Sequence, residues 1–332
     1  MTAFRTTASL ALILCLVGPA APARADDPLP SWDDGPSRGA IVAFVEAVTT
    51  EGSPDFVTPG DRIAVFDNDG TLWCERPVYV QAAFIADRVA AMVEAEPALA
   101  DRPGFKAVLD RDFEALAGLG EAGIAELVAA THGGMTPEEF EAMARDWLAT
   151  ARHPRFGRPY TELTYQPMVE LLDFLRSHGF STFIVTGGGV EFVRNFAEPA
   201  YGIPTQQVVG STIALRFEEQ GDEPTIVREP RISFIDDGPG KPVGIQSHIG
   251  RRPILAVGNS DGDYEMLRWT TAGPGPRLGL IVHHTDADRE YAYDRDSHVG
   301  RLDRALDEAP DRGWVVIDMK RDWESIFPGG SR

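Results

Sequence analysis

The sequence has 332 residues, with 51 acidic and 31 basic side chains and a formal net charge of −20 at pH 7. Such a surface repels nucleic acid phosphates and anionic lipids, so we expect neither as a partner. A chain of this length can bury a sizeable hydrophobic core, and we expect one large domain with a smaller one.

The first 25 residues are typical of a secretory signal peptide. Arg5 precedes the apolar run ASLALILCLVG, and APARA resembles an A-x-A cleavage site before Asp26. The apolar run is too short to span a bilayer comfortably. We therefore expect a periplasmic or secreted protein with no membrane contact once the signal is removed. Cys74 is then the one remaining cysteine, which excludes an intramolecular disulfide.

The first predicted strand is IAVF, residues 63–66, and it runs directly into Asp67 and Asp69. In an open parallel sheet, ligands bind beyond the carboxyl ends of the strands. This position indicates a site for two carboxylates. The alternative is an ordinary turn, because Asp, Asn and Gly all favour turns.

A helical pattern follows over residues 77–160. Apolar residues such as Val80, Phe84 and Val89 recur at helical spacing, and Thr136 and Glu139 predict a capping box. We predict an all-helical domain here, inserted into a core formed by residues 26–76 and 161–332.

Strands and helices alternate after residue 165. QPMVELLDFLRSHG predicts a helix, and FSTFIV, RPILAV, RLGLIV and GWVVID predict strands. This alternation indicates an α/β fold, a Rossmann-like parallel sheet with helices on both faces. Residues 211–236 interrupt the pattern and resemble a hairpin.

Thr186 ends the strand FSTFIV and is followed by Gly187 and Gly188. Backbone N–H groups and a hydroxyl at this place could cradle an anion. The alternative is a flexible turn between strand and helix.

Lys241 lies in the loop DDGPGKP and is one of only three lysines in the chain. Its compact ammonium suits a point contact to a carboxylate and a phosphoryl oxygen. The alternative is an ordinary surface lysine.

Asn259, Asp261 and Asp263 follow the strand ILAV. Clustered oxygen ligands of this kind suit a hard cation such as Mg²⁺. The alternative is an acidic turn that caps the next helix. His283 and His284 follow a later strand, either at the rim of the site or as turn residues.

Taken in order, these four sites resemble the motifs of the haloacid dehalogenase superfamily. D-x-D-x-T is matched by Asp67, Asp69 and Thr71, and the later motifs by Thr186, Lys241 and the loop at residues 258–263. TGGG and the length of the inserted segment point to the phosphoserine-phosphatase-like branch, so the insertion corresponds to its helical cap. The resemblance implies a phosphatase in which Asp67 is the nucleophile and Asp69 the general acid and base, with Thr186 and Lys241 also catalytic.

The resemblance also implies a Mg²⁺ site and a substrate site. The metal ligands would be Asp67, Asp69 through its backbone carbonyl, Asn259 directly, and Asp263 directly or through water. Asn259 stands where the family usually has Asp, so either the metal affinity is lower or Asp261 or Asp263 carries more of the binding. Substrate binding would involve the set Thr71, Gly187, Gly188 and Glu75. Glu75 lies one position early for the substrate-amine ligand of phosphoserine phosphatases, and a solvent-facing or salt-bridged acid is the alternative.

The expected function is that of an exported Mg²⁺-dependent phosphomonoesterase acting on a small phosphorylated metabolite. Two enzymatic alternatives remain, a phosphoserine-specific phosphatase and a phosphotransferase. A third alternative, favoured by Asn259, is a non-catalytic exported protein that binds a phosphorylated ligand. The sequence leaves the oligomeric state open.

Overall fold

A single seven-stranded sheet forms the centre of the protein in the computed structural model, which describes residues 27–220 and 223–330. The predicted signal peptide, residues 1–25, lies outside the described residues. The strands are β1 (Ile63–Phe66), β2 (Ser181–Gly189), β3 (Val208–Gln220), β4 (Glu223–Phe234), β5 (Leu255–Gly258), β6 (Leu278–His283) and β7 (Val315–Asp318). Their order across the sheet is β4-β3-β2-β1-β5-β6-β7.

Strand β1 lies in the middle of the sheet, parallel to β2 on one side and to β5 on the other. All residues of β1 and β5 are buried, as expected for strands covered on both faces. Strands β3 and β4 are antiparallel, and Phe217 pairs with Ile226. The predicted parallel sheet and the predicted hairpin are therefore both confirmed.

The described part of the chain contains twelve α-helices. They are α1 (Pro36–Thr49), α2 (Val80–Ala95), α3 (Pro103–Asp110), α4 (Phe113–Gly118), α5 (Gly120–His132), α6 (Pro137–Thr150), α7 (Gln166–Ser177), α8 (Val190–Tyr201), α9 (Gly240–His248), α10 (Tyr264–Thr271), α11 (Arg304–Arg312) and α12 (Met319–Asp322). Among the described residues, none of these helices has the length and apolar character needed to cross a membrane.

Helices cover the sheet on both faces because the side chains of β1 alternate between two hydrophobic clusters. Ala64 and Phe66 pack with α1, α7 and α8, whereas Ile63 and Val65 pack with α9, α10 and α11. This three-layer arrangement is the predicted Rossmann-like α/β fold.

Helices α2 to α6 lie between β1 and β2, in the segment predicted to form a cap. Helix α6 begins with the predicted capping box, in which Thr136 and Glu139 each accept a hydrogen bond from the other's backbone N–H. Val89, Phe105 and Leu127 form a small cluster within this segment. Helices α2 and α6 also join the main core, so a domain boundary at residues 77–160 remains a prediction.

The β3–β4 hairpin is joined to the inserted helices by backbone hydrogen bonds. The Gly134 N–H donates to the Arg228 carbonyl at 2.8 Å, and the Arg228 N–H donates to the Met135 carbonyl at 2.9 Å. The hairpin and the inserted helices therefore enclose one space above the carboxyl edge of the sheet.

Candidate active site

The loop after β1 depends on a tight turn at Gly70. Its φ is +74°, in the left-handed region, and its N–H donates to the Trp73 carbonyl at 2.9 Å. A Cβ atom at this position would clash with the Asn259 amide, so only glycine fits. The turn leaves Asp67 and Asp69 on the wall of a cavity of about 560 Å³.

Lys241 lies in the first turn of α9 and is buried beside this wall. Its Nζ donates to Asp67 Oδ1 and Asp263 Oδ1, both at 2.6 Å, and to the Val185 carbonyl at 3.0 Å. Burial lowers the pKa of Lys241, but the two carboxylates outweigh burial and raise it, so the ammonium remains charged. The contact of Lys241 with a carboxylate, predicted from the sequence, is present.

Burial raises the pKa of Asp67 well above its ordinary value. The Asp263 carboxylate adds to this rise, and Lys241 opposes it. Burial also raises the pKa of Asp69, although the Trp73 indole, which donates to Asp69 Oδ1 at 2.9 Å, lowers it. Burial is the main cause of the shift in the pKa of Asp69. A proton held on Asp69 is what a general acid needs.

Asp263 is held by donors of the protein on both of its oxygens. Its Oδ1 accepts from Lys241, and its Oδ2 accepts from the N–H groups of Asn259 and Ser260, at 2.9 and 3.1 Å. A role as a metal ligand, directly or through water, stays a prediction. Asp263 orients Lys241 and the turn before α10, as the alternative reading of an acidic turn partly anticipated.

Asn259 and Thr71 lie behind the cavity wall. The Thr71 hydroxyl donates to Asn259 Oδ1 at 3.3 Å, and Asn259 Nδ2 donates to Glu75 Oε1 at 2.7 Å. Thr71 is fully buried and is absent from the cavity lining, so its predicted contact with substrate is not supported. The hydroxyl instead orients the Asn259 amide.

Glu75 lines the cavity and is only 1% exposed. The Tyr293 hydroxyl donates to the same oxygen, Oε1, at 2.8 Å. Burial raises the pKa of Glu75 to about 7, against the opposing effects of His284 and Tyr293. The alternative reading of Glu75 as a solvent-facing or salt-bridged acid is therefore wrong.

Thr186, Gly187 and Gly188 line the cavity where the end of β2 meets the inserted helix α2. The Gly188 N–H donates to Thr186 Oγ1 at 3.0 Å, and the Gly189 N–H donates to Gln81 Oε1 at 2.7 Å. The predicted hydroxyl and glycine amides thus do lie together at the end of β2. An anion that used the Gly188 amide would have to replace Thr186 as its acceptor.

The residues at this edge fit a hard divalent cation by the chemistry of their donors. Asp67 and Asp69 offer carboxyl oxygens and Asn259 an amide oxygen, and oxygen is the ligand that Mg²⁺ prefers. Lys241 is the positive side chain hydrogen-bonded to Asp67, and burial raises the pKa of Asp67 despite it, so a cation beside Asp67 would favour its ionised form. Within residues 27–220 and 223–330, no three His, Cys, Asp or Glu side chains form a ready ligand set. Coordination by amide or backbone oxygens and by water would then be required, as is usual for Mg²⁺.

The far walls of the cavity come from residues that the sequence did not identify. They are mostly apolar and belong to the inserted helices, to α8 and to the hairpin: Ile85, Val128, Phe140, Phe192, Ile213 and Ile232. Arg228 of β4 is buried, pairs with Glu191 and lies 4.0 Å from the centre of the Phe140 ring. The alternation of side chains along the hairpin strands was the sequence signal available for these residues. It does not indicate which face of the hairpin lines a cavity.

His284 hydrogen-bonds to the loop that follows β1. Its Nε2 lies 2.8 Å from the Gly70 carbonyl, and its Nδ1 lies 3.3 Å from Glu290 Oε2. Because both partners are acceptors, both ring nitrogens carry protons. Cys74 and Tyr165 donate to the other oxygen of Glu290, at 3.0 and 3.2 Å. The sequence placed His284 only at the rim or in a turn, and it gave no signal for Glu290.

We expect His284→Gln to destabilise the protein in a pH-dependent way. Burial lowers the pKa of His284, but Glu290 outweighs it and raises the pKa, while His284 holds that of Glu290 low against burial. The pair therefore stabilises most between about pH 4.5 and 6.5, and the His284 contribution is lost as the pH rises through its raised pKa.

Urea denaturation of both proteins at pH 5.5, 7 and 9 measures this effect. Breaking the buried pair should lower the free energy of unfolding by about 3–5 kcal/mol at pH 5.5, and the deficit should shrink at pH 9. A deficit that is the same at all three pH values would contradict the assignment of an imidazolium.

Comparison with known proteins agrees with this geometry. The model of the family described as haloacid dehalogenase-like hydrolase matches residues 64–268. A Bordetella pertussis protein of unknown function is 19% identical, with a TM-score of 0.51 over 78% of this chain and 98% of its own. An Anaerococcus prevotii protein, also functionally unknown, is 18% identical, with a TM-score of 0.52 over 88% and 94%.

A phosphoserine phosphohydrolase-like protein from Francisella tularensis is more distant, at 16% identity and a TM-score of 0.36 over 67% of this chain and 87% of its own. No curated protein matches the chain. The matched segment extends from β1 to α10, which contains every motif residue described above and more than half of the chain. The protein therefore belongs to the haloacid dehalogenase-like hydrolase family.

Proposed function

We propose that the protein is an exported, Mg²⁺-dependent phosphomonoesterase that works through an aspartyl-phosphate on Asp67. The observation that carries the proposal is the buried Lys241 ammonium, held at 2.6 Å by both Asp67 and Asp263. Asp69 lines the same cavity and is available as a proton donor. The proposed nucleophile, a positively charged ammonium and a proton donor thus line the same wall of the cavity.

In the first step, a carboxylate oxygen of Asp67 attacks phosphorus and the bond to the ester oxygen breaks. Asp69 gives its proton to that leaving oxygen. Lys241 offsets the repulsion between two anions, which is roughly 4 kcal/mol for unit charges 4 Å apart at an effective dielectric of 20. Thr186 is the group best placed to hold a phosphoryl oxygen.

In the second step, Asp69 takes a proton from water, whose oxygen attacks phosphorus, and the bond to Asp67 breaks. A bound Mg²⁺ would supply positive charge for the phosphoryl oxygens and would favour the ionised form of Asp67. Asp67 and Asp69, which line the cavity, would hold it. Asn259 lies behind the wall and would have to turn its amide oxygen from Thr71 towards the cavity to join them. This cycle restores the enzyme and releases orthophosphate and an alcohol.

The size and lining of the cavity favour, as substrate, a small phosphate ester whose leaving group has apolar surface. Its volume of about 560 Å³ is that of an ordinary small-molecule site, and its far walls are largely aliphatic and aromatic. Residues from the inserted helices and the hairpin would both select the substrate. Membership of the phosphoserine-phosphatase-like branch is part of this proposal, as is export.

A phosphotransferase is the second candidate, because the same intermediate could pass its phosphoryl group to an alcohol. A non-catalytic binding protein is less well supported. A binder has no need of Asp67 and Asp69 beside a buried lysine, and Asn259 has a structural partner in Glu75.

The test is hydrolysis of para-nitrophenyl phosphate by the mature chain, with Mg²⁺ and with EDTA. We expect turnover with Mg²⁺ and its loss with EDTA, with equal release of orthophosphate and nitrophenolate. An orthophosphate deficit in the presence of glycerol would favour the phosphotransferase. Phosphate binding without turnover would leave the binding protein as the better account.

A further inference from the structure

Two glycines bulge out of the sheet at the end of β2. The pairing of β2 with β3 skips two residues between Thr186 and Gly189. The skipped residues, Gly187 and Gly188, line the cavity beside Thr186. Glycine peptides can adopt many orientations, so this glycine bulge needs hydrogen bonds to hold its N–H groups in one direction.

Two side chains of the core orient the first peptide of the glycine bulge. The Ser211 hydroxyl donates to the Gly187 carbonyl at 2.8 Å, and the Gly188 N–H of the same peptide donates to Thr186 Oγ1 at 3.0 Å. The carbonyl and the N–H of a trans peptide point in opposite directions, so these two bonds together fix its plane. The Gly188 N–H therefore points to the side of the cavity where Thr186 lies.

The next peptide is held by a side chain of the inserted helices. The Gly189 N–H donates to Oε1 of Gln81, a residue in the first turn of α2, at 2.7 Å. A Cβ atom at position 189 would lie 2.8 Å from Gln81 Nε2, so the two residues are in close contact. Gln81 thus connects the inserted helices to the glycine bulge of the core.

His132, the last residue of α5, fixes the orientation of the Gln81 amide. Because Gln81 Oε1 accepts from Gly189, its Nε2 lies on the other side of the amide, 3.2 Å from His132 Nε2. An amide nitrogen only donates, so His132 Nε2 accepts and the ring proton lies on Nδ1, which is 2.7 Å from Thr131 Oγ1. Burial is the main cause that lowers the pKa of His132 to about 3, so the ring stays neutral near pH 7.

We propose that Gln81 is a positioning residue for the phosphoryl group, because it holds the glycine bulge whose N–H groups face that group, and that His132 in turn holds Gln81. This inference rests on the proposed function, since it places the phosphoryl group beside Thr186. The inserted helices then have two roles. They select the leaving group, and they also set the affinity for the phosphoryl group that all substrates share.

The test is the kinetics of Gln81→Met with Mg²⁺ present. Methionine has a similar length but can neither accept from Gly189 nor donate to His132. We expect KM for para-nitrophenyl phosphate and the inhibition constant for orthophosphate to rise together, by about tenfold, with kcat little changed. A purely structural role would lower the amount of active protein, and so kcat, without moving KM. Wild-type values of both constants in Gln81→Met would overturn the proposal.

Arg88→Met is the matched control. Arg88 also belongs to α2 and donates to the Thr131 carbonyl at 3.0 Å, next to His132, but it is absent from the cavity lining. Its replacement should lower the thermal unfolding temperature and leave KM and orthophosphate inhibition as in the wild type. An equal rise of both constants in Arg88→Met would show a general loosening of the inserted helices and would overturn the role of Gln81.

His132→Asn tests the second step of the argument. Asparagine can still donate towards Thr131 but has no acceptor at the place of Nε2, so Gln81 loses the partner that fixes its amide. We expect KM to rise by a smaller factor than in Gln81→Met. In the double variant the second substitution should add nothing, because the bond between the two side chains is already absent. Effects that multiply in the double variant would contradict the assignment of His132.

Calorimetric titration with orthophosphate separates this inference from the proposed function. If the wild type binds orthophosphate but hydrolyses no ester, the proposed function fails, and the orthophosphate affinity of Gln81→Met still decides the inference. If Gln81→Met is active with a wild-type KM, the inference alone fails. Wild-type protein that neither hydrolyses the ester nor binds orthophosphate would overturn both.

Discussion

Asp67→Asn should abolish turnover of phosphate esters, with a fall in kcat of at least about 10⁴-fold, since the amide cannot attack phosphorus. The side chain keeps its shape and can still meet Lys241, so the fold should survive. Hydrolysis of para-nitrophenyl phosphate with Mg²⁺ measures the loss. Near-normal activity in a folded Asp67→Asn protein would rule out the aspartyl-phosphate.

Asp69→Asn is the matched control for this experiment. It removes the acid and base but leaves the nucleophile, and nitrophenolate is a leaving group that needs little help from an acid. We expect radioactive phosphate to stay on the Asp69→Asn protein after acid quenching, because the second step lacks its base. The Asp67→Asn protein should carry none. Equal labelling of both proteins would place the phosphoryl group elsewhere.

Lys241→Met should reduce both stability and activity. Lys241 is 2% exposed and bonds to Asp67 and Asp263, so its removal leaves two carboxylates without their cation. Breaking a buried ion pair from one side costs about 3–5 kcal/mol in free energy of unfolding. Urea denaturation measures this cost. The hydrolysis assay measures the fall in activity that results from the missing positive charge next to the phosphoryl group.

The double variant Lys241→Met/Asp263→Asn separates the two effects. Replacing Asp263 by Asn should restore part of the stability, because Asp67 is then the one carboxylate of the pair that lacks a cation. Activity should stay low, since the positive charge beside Asp67 is still missing. Restored activity together with restored stability would mean that Lys241 has a purely structural role.

Several elements of the fold were predictable from residues that are neighbours in the chain. The strand IAVF, the capping box at Thr136 and the hairpin over residues 211–236 were all predicted, because each depends on residues close together in the chain. The gathering of Asp67 and Thr186 was also predictable, since parallel strands end at one edge of the sheet. Lys241 follows β4, which is antiparallel to β3, so its arrival at this site depends on the hairpin.

The partners of individual side chains were not predictable in the same way. The sequence indicated that Asp263 binds metal and Thr71 binds substrate, but the structure gives them Lys241 and Asn259 as partners. Each of these contacts depends on a rotamer and on the packing of two distant loops. Composition and spacing contain no information about either.

The sequence by itself determined the fold class and identified the carboxylates, lysine and threonine as candidate site residues, because hydrophobic periodicity and motif spacing are local properties. Only the tertiary structure decided the apolar walls, the His284–Glu290 pair and the bond between Glu75 and Asn259. The last two residues lie 184 positions apart in the chain. Their contact exists because β1 and β5 are neighbouring parallel strands, so the turn at Gly70 and the loop after β5 meet at the same edge of the sheet.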